Sequence, residues 1–315
     1  MGFLTTVIGS FPQKKLRLED AIRWAVDLQL KHGIDLITDG EQRSDMISYF
    51  SSFSGLGMTP QGPCIRSRIL PLEDPRSYVK LGDGQFVRDH LMAKGRKDVK
   101  AKITVTGPVT LGFSCAMNGL GPYSSVADAR LYSDFASALN PLILEIARTG
   151  CHLQVDEPSL SARVMDSKEA VRIVNRSLAG LPSEVYDREK LSVHVCGELN
   201  RVLFKDFMKL DAPVLSLAFS APNVSRNLKV VSKRVLSSGQ KRLGVGCVSV
   251  QAIRGEQVDR PDVVFRRLET VVQGVGKDRI ACLHPDCGLR NTGEEAVEPI
   301  LERLSSSAEF LRQSG

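Results

Sequence analysis

Residues 152–195 read HLQVDEPSLSARVMDSKEAVRIVNRSLAGLPSEVYDREKLSVHV, with a short apolar run at each end and a helical pattern between them. The runs 152–156 and 191–195 predict buried strands, because both are rich in aliphatic and β-branched residues. Residues 168–178 carry apolar side chains at helical spacing, and Asp166 and Ser167 precede them as candidate N-cap residues. A strand, a helix and a second strand in this order predict parallel strands joined by a helical crossover.

The same alternation extends over almost the whole chain. Strands are predicted at 4–8, 34–38, 102–106, 152–156, 191–195, 214–219, 242–246 and 279–283. Helices are predicted at 18–31, 126–148, 168–178, 261–275 and 294–311. Eight strand and helix units favour an α/β fold of the (β/α)8 TIM-barrel type, whose chemistry lies at the C-terminal ends of the strands. An open doubly wound sheet is the alternative, although no G-x-G-x-x-G segment follows the first strand.

One interval departs from the alternation of strands and helices. Residues 39–101 separate the second and third strands and include Pro60, Pro63, Pro71 and Pro75. Apolar and polar residues alternate over 64–72, which is typical of a hairpin arm. We therefore predict that residues 1–315 form a single barrel, with a hairpin-containing insertion at about residues 43–100 between strands 2 and 3.

Composition narrows the functional classes. The chain has 315 residues, of which 42% are hydrophobic and 25% charged, as in ordinary globular proteins. It holds no apolar run long enough for a membrane span and no signal-peptide pattern at its start, so we expect a cytoplasmic protein without a membrane partner. The net charge of +6 comes with only one short basic stretch, 94–100, and we therefore expect no nucleic-acid partner. Seven cysteines without tight pairing favour free thiols or metal ligands over a disulfide framework.

A metal site is predicted from three residues at strand ends. His194 and Cys196 are two positions apart on one strand, so their side chains face the same side. Cys287 follows the eighth strand at the same rim of the barrel. One histidine and two cysteines suit a catalytic zinc ion with an open position for substrate. The alternative is that His194 is a core histidine and Cys196 a small buried residue.

Acidic residues and a turn accompany these ligands. Glu41 and Asp156 end the second and fourth strands and could face a common pocket, where acids bind cationic groups or move protons. For Asp39 and Glu157, an N-cap or loop carboxylate exposed to water is an equal alternative. The first strand ends in the turn 5–12, whose backbone amides could hold a carboxylate. Residues 106–110 form a comparable turn after the third strand.

Six segments of the chain resemble a known family. They are 8–12 IGSFP, 39–50 DGEQRSDMISYF, 106–110 TGPVT, 154–158 QVDEP, 194–196 HVC and 284–288 HPDCG. In this order they resemble the catalytic barrel of cobalamin-independent methionine synthase. The resemblance implies that His194, Cys196 and Cys287 bind zinc, which activates the thiol of homocysteine. It also implies that the segment Ile8, Gly9 and Ser10 meets the homocysteine carboxylate and that Glu41 and Asp156 meet its ammonium group.

The methyl donor is inferred from departures. Family enzymes that use methylfolate are about twice as long and have an Asp and a His after the seventh strand, where this chain has Ser249 and Gln251. Neither is a useful general acid at neutral pH. The family's tryptophan after TGPVT is also absent. The chain thus resembles the short "core" methionine synthases, which implies a methylcorrinoid donor, either methylcobalamin or a corrinoid protein.

Another departure concerns the metal. The family's fourth zinc ligand, a Glu, falls on Ala218, so three ligands remain, with Cys247 on the next strand as a candidate replacement. Two further functions stay open. One is a related thiol methyltransferase with another thiol or a methylfolate donor, and the other is a metal-binding barrel without activity.

Overall fold

Eight parallel strands form the central sheet of the computed structural model, which describes residues 2–314. The barrel strands are β1 (Leu4–Thr5), β2 (Leu36–Ile37), β5 (Lys100–Thr106), β6 (His152–Asp156), β7 (Leu191–Val195), β8 (Val214–Ala218), β9 (Arg242–Val248) and β10 (Ile280–Pro285). A hairpin outside the barrel supplies β3 (Leu56–Thr59) and β4 (Gly62–Ile65). The order in the sheet is β1-β10-β9-β8-β7-β6-β5-β2.

The two ends of this sheet meet, so the barrel is nearly closed. Thr6 forms a parallel bridge with Leu36, which brings β1 beside β2. Side chains complete this seam, since the amide and hydroxyl of Thr5 both donate to Asp35, at 2.7 and 2.8 Å. The predicted (β/α)8 barrel is confirmed, and the open doubly wound sheet is wrong because its edge strands would not meet.

Helices connect the strands along the outside of the barrel. They are α1 (Leu18–Lys31), α2 (Val79–Ala93), α3 (Pro108–Ala116), α4 (Ala129–Arg148), α5 (Ser159–Ala162), α6 (Ser167–Ser177), α7 (Ser183–Asp187), α8 (Arg201–Phe207), α9 (Lys233–Ser238), α10 (Pro261–Val275) and α11 (Glu294–Gln313). Short 3-10 turns lie at Ser48–Phe50, Pro75–Ser77, Ser225–Lys229, Gly255–Gln257 and Lys277–Arg279. None of the helices within residues 2–314 has both the length and the apolar character that crossing a membrane requires.

The interval between β2 and β5 holds the hairpin and then a barrel helix. The hairpin covers Leu56–Thr59 and Gly62–Ile65, so the predicted arm at 64–72 is wrong except for its first two residues. Most of that segment makes no regular strand, because beyond Ile65 the amides of Arg66 and Ser67 both donate to the one carbonyl of Gly55 and the regular pairing ends. The sequence patterns did not predict α2, which packs against β5 as the helix of the second strand and helix unit.

Polar side chains line part of the barrel interior. The large core lies mainly between the strands and the outer helices. Inside the barrel, Lys102, Gln154 and Ser216 are almost completely buried, on β5, β6 and β8. A buried polar group is costly unless it is hydrogen-bonded, and each of these three has partners within the barrel. These partners lie toward the C-terminal ends of the strands, where the candidate site is found.

Candidate active site

A cavity of about 290 Å³ opens at the C-terminal ends of the barrel strands. All the residues that the sequence predicted for the site line it, namely Ile8, Gly9, Ser10, Glu41, Asp156, His194, Cys196 and Cys287. They come from the ends of β1, β2, β6, β7 and β10, which the closed barrel brings around one opening.

His194, Cys196 and Cys287 form one cluster at the floor of this cavity. Their candidate ligand atoms all lie within 4.8 Å of one another. A hydrogen bond from Cys196 lowers the pKa of Cys287 well below its ordinary value, and His194 lowers it further against the effect of burial. The same hydrogen bond, with burial, raises the pKa of Cys196. Of the two cysteines, Cys287 is therefore the one whose thiolate form is favoured.

A chain of hydrogen bonds fixes the tautomer of His194. Nδ1 of His284 lies 2.7 Å from the carbonyl oxygen of Pro285, which can only accept, so Nδ1 carries the proton. Burial lowers the pKa of His284 to about 3, and its ring is neutral. Nε2 of His284 therefore accepts from the Ser216 hydroxyl at 2.8 Å, and Ser216 in turn accepts from Nδ1 of His194 at 2.9 Å. The lone pair of His194 is left on Nε2.

The cluster fits a zinc ion. Nε2 of His194 is buried and has no hydrogen-bond partner among the described residues, although it carries a lone pair. This nitrogen and the two neighbouring cysteine sulfur atoms together form a donor set that zinc prefers. Both cysteines are partly exposed to the cavity, and within residues 2–314 neither forms a disulfide.

The structure supplies no fourth protein ligand from the neighbouring strands. Ala218 ends β8 as a fully buried residue and belongs to a small apolar cluster with Ala221 and Val224, against which Cys196 packs. Asp286 does not supply the fourth ligand, because its carboxylate accepts hydrogen bonds from the amides of residues 219–221.

Cys247, the candidate replacement, lies in the main core and not in the metal cluster. Burial raises its pKa to about 12.

The two carboxylate oxygens of Glu41 differ in their contacts. Oε1 accepts from the Lys80 ammonium at 3.0 Å and from the Thr104 hydroxyl at 2.8 Å. Oε2 has no hydrogen-bond partner among residues 2–314. The backbone of Glu41 has a φ of 50°, in the left-handed region, and its amide donates to Asp39. An unusual backbone conformation in a pocket is often maintained for function.

Asp156 is held by Gln154 on the same strand. The side-chain amide of Gln154 donates to Asp156 at 2.7 Å and to the carbonyl of Ile8 at 2.9 Å. The ammonium of Lys102 donates to the other end of that amide at 2.6 Å, which fixes its orientation. Burial raises the pKa of Asp156 to about 7, opposed by His194 and reinforced by Glu41.

The turn after β1 offers free backbone donors. The carbonyl of Gly9 accepts from Thr38, and that of Ser10 accepts from the amide of Leu289. Within residues 2–314, the amides of Gly9 and Ser10 make no hydrogen bond, and both residues line the cavity. Adjacent free amides in a turn form an anion-binding site.

Asp39 and Glu157 are both buried, so exposure to water is wrong for each of them, whereas a capping position is met by Glu157. Glu157 accepts from the amides of Val109 and Thr110 and from the Thr110 hydroxyl, at the N-terminus of α3. Burial nevertheless raises its pKa to about 7. This carboxylate joins β6 to the TGPVT turn, and it does not line the cavity.

Several residues around the site lack a motif that announces them. Lys80, Thr104 and Ser216 lie outside the six quoted segments, whereas Gln154 and His284 lie inside them without being singled out. Arg290 lines the cavity and donates to the carbonyls of Glu41 and Ser44, while its Nε has no partner among the described residues. Ser249 and Gln251 do not line the cavity.

Comparison with known proteins gives a family match over most of the chain. The family model described as "Cobalamin-independent synthase, Catalytic domain" matches residues 13–309. A methionine synthase of Methanothermobacter thermautotrophicus is 28% identical, over 97% of this chain and 99% of its own length. A 5-methyltetrahydropteroyltriglutamate–homocysteine methyltransferase of Thermosynechococcus vestitus is 25% identical over 98% of this chain, which corresponds to 43% of that longer protein.

Solved structures show the same fold. A B12-independent methionine synthase from Shewanella sp. W3-18-1, in complex with selenomethionine, superposes with a TM-score of 0.78. It is 20% identical, and the match covers 99% of this chain and 98% of that one. At this level of identity the likeness supports the barrel architecture alone.

Proposed function

The chain belongs to the cobalamin-independent synthase catalytic-domain family, and from this premise we propose that it is a methionine synthase that methylates the thiol of homocysteine. The observation that carries the proposal is one cavity that holds a His, Cys, Cys cluster together with two acids and a turn with free amides. An amino-acid thiol needs all three groups. The relatives are named methionine synthase and homocysteine methyltransferase, and both names agree with this substrate.

His194, Cys196 and Cys287 would hold zinc. Zinc supplies Lewis-acid chemistry there, because it lowers the pKa of a coordinated thiol so that thiolate is present at neutral pH. Ser216 keeps the proton of His194 on Nδ1 and so keeps Nε2 available as a ligand atom. With a neutral histidine and two thiolates, the protein ligands leave room for one further sulfur.

The other residues would orient the substrate. Oε2 of Glu41 and the carboxylate of Asp156 would bind the ammonium group, while the amides of Gly9 and Ser10 would bind the carboxylate. An amino acid held at both ends directs its side chain toward the cysteines. Orientation of this kind contributes several kcal/mol to catalysis when the reacting atoms are held near contact.

We further propose that the methyl donor is a methylated corrinoid, either methylcobalamin or a corrinoid protein. The substrate thiolate attacks the methyl carbon, the carbon–cobalt bond breaks, and its electron pair stays on cobalt as cobalt(I). This leaving group needs no proton. Transfer from a methylfolate does need one, and residues 249–254 after β9 contain neither an acid nor a histidine.

A methylfolate donor is the second candidate. The name of the longer relatives specifies methyltetrahydropteroyltriglutamate, and the family description is cobalamin-independent. Those relatives extend well beyond the part that matches this chain. Methylfolate is therefore the main alternative to a corrinoid as methyl donor.

A turnover assay separates these candidates. Zinc-loaded enzyme is given homocysteine with methylcobalamin, with a methylated corrinoid protein or with methyltetrahydrofolate, and methionine is measured. We expect methionine from the corrinoids, with methylfolate slower by roughly 10²- to 10⁴-fold, the usual contribution of a missing general acid. Faster transfer from methylfolate would reject the corrinoid donor and keep the homocysteine assignment. No methionine from any donor would favour another thiol or an inactive barrel.

A further inference from the structure

Lys80 is a buried lysine beside the site that the proposed reaction leaves without a role. It lies in α2, outside every motif of the sequence, and its side chain is only 2% exposed. Its ammonium lies 3.0 Å from Oε1 of Glu41. Burying an ammonium group is expensive unless it is paired, so this ion pair is a costly feature to maintain.

Contacts with the protein hold the Lys80 ammonium on the side of Glu41 away from the cavity. It lies 3.3 Å from the Thr104 hydroxyl and 3.7 Å from the centre of the Tyr49 ring. The Tyr49 hydroxyl in turn contacts Asp39 at 3.3 Å. Lys80 does not line the cavity, so it acts on a substrate only through Glu41.

These contacts determine which oxygen of Glu41 faces a ligand. Lys80 and Thr104 both donate to Oε1, and the carboxylate plane is thereby fixed. Oε2 is left without a partner in the described part of the chain, on a residue that lines the cavity. One oxygen is thus committed to the protein and the other is available to an incoming donor.

The charges around Glu41 require this cation. Asp39 and Asp156 are buried nearby, and like charges in a buried site favour protonation of one carboxyl. The Lys80 ammonium, 3.0 Å from Oε1 of Glu41, offsets this repulsion at Glu41.

We infer that Lys80 is a positioning residue for the substrate's ammonium group, because it binds Oε1 of Glu41 and leaves Oε2 for a ligand. This inference rests on the proposed function, since it assumes an amino-acid thiol as substrate. It concerns binding, so the loss of Lys80 affects KM more than kcat.

Homocysteine binding to the zinc-loaded enzyme, measured by calorimetry without a methyl donor, tests the inference. For Lys80→Met we expect a loss of affinity of about tenfold or more, as for a charged hydrogen bond, with unchanged zinc content. Lys80→Arg keeps the charge and should recover part of the affinity. In a Glu41→Gln background the Lys80→Met change should add less than about twofold, because coupled residues are not additive.

The outcomes separate the two claims. If the unaltered enzyme does not bind homocysteine, both the proposed function and the inference are overturned. If it binds and Lys80→Met binds equally well, or loses as much affinity in the Glu41→Gln background, only the inference is overturned. Should Lys80→Met not fold, Thr104→Val removes the other donor to Oε1, and an unchanged affinity there would overturn the inference too.

Discussion

The hydroxyl of Ser216 lies 2.9 Å from Nδ1 of His194, and the two residues are also paired in register on the neighbouring strands β7 and β8. The orientation of the imidazole therefore depends on the sheet itself. A shift of one residue between these strands would turn Ser216 out of the barrel, because alternate residues face opposite sides. The orientation of the proposed zinc ligand His194 is thus coupled to the register of two strands.

We predict that Ser216→Ala weakens zinc binding by about 10- to 100-fold, the usual effect of removing the hydrogen-bond partner of a metal-binding histidine. Without the hydroxyl, the His194 proton is free to move to Nε2. Competition with a chelator measures the affinity. Ser192→Ala, on β7 away from the cluster, is the matched control, and equal zinc affinities for the two variants would contradict the role of Ser216.

We predict that Cys196→Ser and Cys287→Ser each lose most of their zinc and their activity, because a hydroxyl replaces a thiolate ligand. Cys282→Ser is the control, since Cys282 is also partly exposed but lines a cavity at the other end of the barrel. Metal analysis of the purified proteins gives the zinc content. Full occupancy in both site variants would show that the cluster is not the zinc site.

We predict that Asp156→Asn raises the KM for homocysteine by about 10- to 100-fold, corresponding to roughly 1.5–3 kcal/mol for a charged hydrogen bond. Asparagine keeps an oxygen that can accept from Gln154, so the local structure and the zinc content should be retained. Asp89→Asn, on the exposed side of α2, should leave KM unchanged. Equal reaction of simple thiols that lack an amino group would argue against the pocket itself.

We predict that Gly107→Ala lowers the free energy of unfolding by about 1–3 kcal/mol, the usual cost of overpacking. A Cβ atom at residue 107 would lie 2.2 Å from Oε1 of Glu157 and would displace this carboxylate from the start of α3. Gly82→Ala is the control, because nothing lies within 4 Å of its Cβ in α2, and it should be neutral or stabilising by up to about 1 kcal/mol. Equal urea midpoints for the two variants would contradict this packing.

The barrel was predictable because its strands are apolar runs at regular intervals, and most predicted strands overlap the observed ones closely. The first strand is an exception, since β1 ends at Thr5 and not at residue 8. After the Thr6 bridge the chain leaves the ladder to form the turn that lines the cavity. The residues of that turn are as apolar as a strand, so the pattern did not show where pairing stops.

Helix α2 was not predictable from its own residues. Gly82 and Gly84 lower its helix propensity, and its apolar face is weakly marked. Gly84 is explained by packing, because a Cβ there would lie 2.4 Å from the Ile103 side chain on β5. Packing against Ile103, which is distant in sequence, thus requires glycine at position 84, although glycine locally favours a loop.

The motifs contain most of the residues that line the cavity, but few of those that hold them in place. Lys80 contacts Glu41 across 39 positions, and Thr104 does so across 63. Ser216 contacts His284 across 68 positions. No local sequence pattern predicts such distant contacts, so only the three-dimensional structure identifies these supporting residues.

The seam between β1 and β2 has a consequence for local opening. An isolated backbone bridge, a backbone hydrogen bond from Phe11 to Gly40 and several side-chain hydrogen bonds join the two sides in the described chain, without a regular ladder, so we expect local opening there. Ser10 follows β1 and Glu41 follows β2, on opposite sides of this line. A ligand that contacts both residues therefore links the two sides of the seam and stabilises their contact. Amide hydrogen exchange at Thr6 and Leu36 should slow when this ligand is bound. Part of the ligand's binding free energy then stabilises the barrel against local opening.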